Sequence, residues 1–220
     1  CTGDGIDIVG CEDLTLRDSF IRASDDCVCI KAASYPDPAA NRNVKNILVE
    51  HCVLWNAEPG NAVEIGYEVR CDEISDITFR DLDIVHCQYE GNQSGGVLTI
   101  HNADRAYIHN IVYEDIRVED AQEKFIDIKV LDSKYSLDRS RGRVEDIFFR
   151  NIEILNGNFP VSIIRGFEMH TEMSRPQNIH FDNVVVLGEH INSPSDLHMV
   201  VELSNDIWFN GKVHVKRNPF

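Results

Sequence analysis

Three aspartates in the first 26 residues carry the chemistry of this chain. Asp4 stands in the run Thr2-Gly3-Asp4-Gly5, and the pair Asp25-Asp26 precedes the alternating segment Cys27-Val28-Cys29-Ile30-Lys31. Carboxyl groups held close together suit cleavage of a glycosidic bond. One stays protonated to donate to the leaving oxygen while another stays ionised to activate water. Taken alone, an aspartate pair at a corner is more often a turn, because Asp side chains hydrogen-bond to nearby backbone. The catalytic reading therefore requires elements that bring position 4 beside positions 25 and 26.

A repeat supplies those elements. A polar residue, an alternating apolar segment and then another Asp, Asn or His recur along the chain. The copies are Asp13–Asp18, Asn46–His51, Asp76–Asp81, Asn110–Asp115, Asp146–Asn151, Asn178–Asn183 and Asp206–Asn210, with starts 28 to 36 residues apart. Such a period marks stacked repeats. Most copies are followed by a second period-2 segment, among them Cys27–Lys31, Ala62–Gly66, Val97–His101 and Phe125–Val130. No stretch reads as a long amphipathic helix. Propeller blades need about four strands per unit, whereas units of two or three strands suit a solenoid in which each coil buries its apolar face on the next. The expectation is an all-β parallel β-helix of about seven coils, with residues 1–220 forming one domain.

Stacking then places side chains. Val28, Val63 and Leu98 should point inward in successive coils, as should Ile30, Ile65 and Ile100. Between them, Cys29, Glu64 and Thr99 form one outward ladder, and Lys31, Gly66 and His101 another. Asn61 is the register partner of Asp26 one coil on, and Asp4 falls one short coil before the pair. The three aspartates should thus share an edge. Outward polar and aromatic groups beside them (Lys31, Asn61, Glu64, Tyr67, Arg70 and His101) are the expected sugar-binding residues. Asp18, Asp81, Asp115 and Asn151 recur in coil after coil and read as structural. His86 and His109 read as corner residues, and Trp55 as a packing or sugar-stacking group.

Composition narrows the partners. A net charge of −16 and a pI near 4.8 argue against nucleic acid or an anionic membrane surface. No apolar run approaches the ~18 residues of a membrane span. The seven cysteines match no zinc-ligand spacing and read as small buried residues. No metal and no cofactor are expected. The absence of an initiating Met suggests a piece of a longer β-helix whose N-terminal coils are missing.

The segment from Thr2 to Lys31 resembles the polygalacturonase-like glycoside hydrolases of family 28. Thr2-Gly3-Asp4-Gly5 and Ser24-Asp25-Asp26-Cys27 stand where that family carries Asn-Thr-Asp-Gly and Gly-Asp-Asp. The resemblance implies a right-handed parallel β-helix and inverting hydrolysis, with Asp25 the general acid and Asp4 and Asp26 positioning the water. An inverting pair is expected to be about 6.5–9.5 Å apart. The chain departs from the family at Gly60-Asn61-Ala62, in place of Gly-His-Gly, and at Thr99-Ile100-His101, in place of Arg-Ile-Lys. A looser similarity to the dextranase and isopullulanase group (family 49) runs from Glu64-Ile65-Gly66-Tyr67-Glu68 to Val85-His86. It implies neutral α-glucans. The expected function is an inverting glycoside hydrolase acting on a neutral α-glucan or a pectic polymer, secreted or periplasmic. The alternative is a non-catalytic glycan-binding or adhesin-type module.

Overall fold

The Asx residues of the repeat turn the chain by adopting left-handed backbone. Two columns do so, five residues apart in every copy but the last, where they are four apart: Asp13, Asn46, Asp76, Asn110, Asp146, Asn178 and Asp206, then Asp18, His51, Asp81, Asp115, Asn151, Asn183 and Asn210. All have φ between +48° and +57°. Asn and Asp tolerate this region better than other side chains. They also bond from coil to coil, as in Asn46 Nδ2 to Asp13 Oδ1 at 2.6 Å and Asn151 Nδ2 to Asp115 Oδ1 at 3.0 Å. The recurrent aspartates are structural, as expected.

The computed structural model describes residues 3–32, 42–57, 59–88, 95–158 and 161–215. Cys1 and Thr2, both part of the sequence reading, lie outside the described residues. Seven parallel strands stack into one wall: Ile6–Val9, Val28–Lys31, Val63–Tyr67, Leu98–Asn102, Ile126–Val130, Ile163–Arg165 and Val200–Glu202. The opposing wall contains five long strands, Val44–Asn56, Glu73–Cys87, Tyr107–Val118, Arg143–Ile154 and Gln177–Val186, each bent at the second Asx column. These make about five complete turns of a parallel β-helix, which corrects the expected seven. At one end the long strand is split into Glu12–Arg17 and Phe20–Ala23. At the other it shortens to Asn205–Phe209, against which Lys212–Val215 pairs antiparallel.

Register follows the alternation. Val28 pairs with Val63 and Val63 with Leu98, while Ile30, Ile65 and Ile100 align in the same way, all of them buried. Across the core, Phe79, Tyr113, Phe149, Phe181 and Phe209 stack with centroids 4.7–5.0 Å apart. Each buried side chain of this size contributes about 1.5–3 kcal/mol. The six described cysteines are free thiols, five buried and Cys11 half-buried.

Candidate active site

Backbone hydrogen bonds bring the aspartates together. Gly5 N–H donates to the Asp26 carbonyl at 2.7 Å and Ile6 N–H to Cys27 at 3.0 Å, setting Asp4 beside the pair. On the other side, Cys27 N–H donates to the Asn61 carbonyl at 2.9 Å. Asn56 Nδ2 holds the Asp25 carbonyl at 2.8 Å. Gly60, at φ +111°, packs against this corner so closely that a Cβ would lie 2.3 Å from the Asp25 carbonyl carbon. Only glycine fits there.

One oxygen each of Asp4, Asp25 and Asp26 lie within 4.8 Å of one another. This is closer than the expected 6.5–9.5 Å separation, and the correction bears on mechanism. Two oxygens within 4.8 Å of each other can both accept from one water at about 2.8 Å. The trio is also close enough to share a cation, but an acidic cluster alone does not make a metal site.

The trio opens into a cavity of about 390 Å³. Of the expected binding residues, Lys31, Asn61, Glu64 and Tyr67 line it. Lys31 Nζ is bound by Asp4 Oδ2 at 2.6 Å and Asp7 Oδ1 at 3.1 Å, so it serves the acids first. Arg70 is placed elsewhere: its Nε contacts Asp138 Oδ1 at 3.0 Å, outside the lining. His101 is also corrected. It is 0% exposed and lies under Tyr67, whose ring stacks on it at 4.6 Å. The outward ladders are likewise buried at Cys29, Glu64, Thr99 and His101, because these side chains bond to one another's strands. Cys29 Sγ meets Gly66 O at 3.2 Å and Thr99 Oγ1 donates to Val63 O at 3.0 Å.

Glu68, Lys134 and Tyr135 line the cavity without having been singled out in the sequence. Lys134 and Tyr135 come from the segment between Val130 and Arg143. Buried Asp104 pins that segment by accepting the Leu137 and Asp138 N–H groups at 2.6 and 2.7 Å. Its length and polar, aromatic composition were the available signal. Trp55 stays outside, with Arg22 4.9 Å above its ring. His86 pairs with Asp120, and His109 with Glu73.

The environments of the three acids differ. Asp26 is nearly buried, and its Oδ1 accepts the Asn61 N–H at 2.9 Å and Nδ2–H at 2.6 Å. Burial, then the charge of Glu64, pushes Asp26 up to about 8 against those hydrogen bonds. Burial, then the charge of Asp4, also holds Asp25 above the ordinary carboxylate range. Of the three side chains, Asp4 is the one in direct contact with a lysine. The site can therefore hold protonated and ionised carboxyls side by side, which acid–base chemistry requires.

The model of glycosyl hydrolases family 28 matches residues 2–202. Among solved structures, the fold matches a family 28 exopolygalacturonase from Yersinia enterocolitica with a TM-score of 0.58 and 12% identity, over 96% of this chain and 40% of that one. The chain thus spans less than half the length of that enzyme. No curated protein matches it.

Proposed function

The chain belongs to glycosyl hydrolases family 28, and on that premise we propose that it hydrolyses glycosidic bonds of a polysaccharide with Asp25 as general acid. The single observation that carries this reading is the convergence of Asp4, Asp25 and Asp26 within 4.8 Å at one cavity. Asp25, pushed toward its protonated form, donates to the leaving glycosidic oxygen. Water held between Asp4 and Asp26 attacks the anomeric carbon and loses its proton to Asp4, whose charge Lys31 balances. Inversion is proposed from family membership; carboxylate spacing does not supply it.

The substrate is proposed to be a neutral glycan. The lining contains Asp4, Asp25, Asp26, Glu64 and Glu68 against Lys31 and Lys134, and Lys31 is bound by Asp4 and Asp7. A polyuronate would meet repulsion there. Lys134 at the rim favours a pectic polymer as the second reading.

The test is reducing-end release from neutral α-glucans and pectic polymers, with the product anomer read by NMR. Asp25→Asn should lower turnover by about 10²–10⁴-fold without lowering the melting temperature. Wild-type turnover in that variant would remove Asp25 from the role of acid. Binding to a glycan with no released ends would favour the non-catalytic module.

A further inference from the structure

From Asn61 and Glu64 in the cavity lining, a buried polar chain that the hydrolytic steps do not use runs on to His101 and Asp127. Asn61 Nδ2 donates both to Asp26 Oδ1 and to Glu64 Oε2, and Asn61 Oδ1 accepts the Gly96 N–H at 2.8 Å. With all three contacts made, the amide has one orientation. The other oxygen of Glu64 accepts from His101 Nδ1 at 2.9 Å. His101 Nε2 faces Asp127 Oδ2 at 3.6 Å, an ion pair rather than a hydrogen bond. Asp127 in turn contacts Lys129 Nζ at 2.9 Å and Lys124 Nζ at 3.7 Å. Asn61, Glu64, His101 and Asp127 are each at most 3% exposed.

We propose that His101 is a positioning residue for Asp26, acting through Glu64 and Asn61 to hold that carboxyl in one orientation and to set its charge. The proposal rests on the catalytic reading of the aspartate trio. Its physical basis is compensation. A buried carboxylate at position 64 needs a partner, and the imidazolium is the cation in contact with it. Glu64 then keeps its hold on the Asn61 side-chain amide, which gives one Nδ2–H to Asp26 beside the Asn61 backbone N–H. Among the described residues, the charged or titratable groups set against His101 are Glu64 and Tyr67 from the preceding strand and Asp127 and Lys129 from the following one, with Lys124 reaching Asp127. The alternation of sign along this line has His101 as its central cation. Burial alone would pull the imidazole down, but Glu64 and Asp127 outweigh it and push it up to about 9. It therefore carries its charge across the pH range in which glycosidic hydrolysis is assayed.

Removing that cation makes Asp26 harder to ionise. In His101→Gln the Asp26 titration should move to higher pH by about one unit or more. The effect should vanish in a Glu64→Gln background, because the coupling passes through Glu64. The experiment is carboxyl ¹³C NMR titration of aspartate-labelled protein, with Asp26 assigned by its loss in Asp26→Asn. Wild type, both single variants and the double variant are compared. A shift below about 0.3 unit, or the same shift in both backgrounds, would overturn the proposal. If His101→Gln does not fold, Glu64→Gln tests the link from the other side. Its Asp26 midpoint should fall by about one unit or more, and an unmoved midpoint overturns the relay. The readout needs no substrate, so a failed activity screen would count against the proposed function and leave this result standing.

Discussion

Asp26 shows what a buried acid costs at the scale of one residue. Its folded-state pKa is raised to about 8 from 3.8, chiefly by burial. Between those values the folded chain keeps a proton that the unfolded chain has released. Stability from this group therefore falls as pH rises from about 4 to about 8. Asp26→Asn removes the titration while leaving an oxygen for the Asn61 donors. Its melting temperature should match wild type near pH 4 and exceed it increasingly toward pH 8, where the gain is on the order of a few kcal/mol. Thermal unfolding at several pH values measures this. A constant difference between the two proteins would mean that Asp26 is ionised throughout. The same variant should be inactive, so stability and chemistry would move in opposite directions at one position.

At the scale of the coil, the Asx columns and the aromatic stack make separate claims. Asn151 has φ +52° and is bonded in the column to Asp115 and Asn183 at 3.0 Å each. Asn151→Val forces a β-branched residue into left-handed backbone and breaks both bonds, so it should cost about 2 kcal/mol or more in denaturant unfolding. Asn151→Gly should recover the backbone share of that loss. An equal loss in both variants would place the whole effect in the hydrogen bonds. In the core, Tyr113 stacks between Phe79 and Phe149, and among the described residues its hydroxyl has no hydrogen-bond partner. Tyr113→Phe should then raise stability by about 1 kcal/mol. A lower denaturation midpoint would show that the hydroxyl is bonded.

These columns were legible in the sequence because both periods are local: Asx pairs four or five residues apart, and alternation within each strand. The register that joins Asp4, Asp26 and Asn61 followed from the same count. What local pattern did not carry was cover. Whether Glu64 and His101 face water depends on side chains from other coils, including the Tyr67 ring above His101. Arg70 went to Asp138, a partner 68 residues away. Lys134 and Tyr135 reach the cavity through a segment that Asp104 holds from the preceding coil. No spacing rule encodes such long-range choices.

Across the whole molecule, charge sets the pH at which the stack is strongest. Three contributions agree in sign above mild acidity. Asp26 loses stability between about 4 and 8. His101, raised from 6.5 to about 9, contributes stability that is fully present below 6.5 and lost as pH climbs through 9. The net charge of −16 adds self-repulsion as the remaining carboxyls ionise. Asp127 opposes them. Burial works upward on it, but His101 and Lys129 outweigh burial and hold it below the ordinary range, so its contribution is lost as pH falls through that lowered value. The melting temperature should therefore peak in mild acid, near pH 5, and decline toward pH 9. Salt separates the causes. Raising ionic strength from about 0.01 to 0.15 M shortens the Debye length from about 30 to 8 Å and screens exposed charges far more than buried ones. The part of the decline owed to surface repulsion should shrink in salt, and the part owed to Asp26 and His101 should persist. A pH profile that flattens entirely in 0.15 M salt would assign the whole decline to the surface and none to the buried pair.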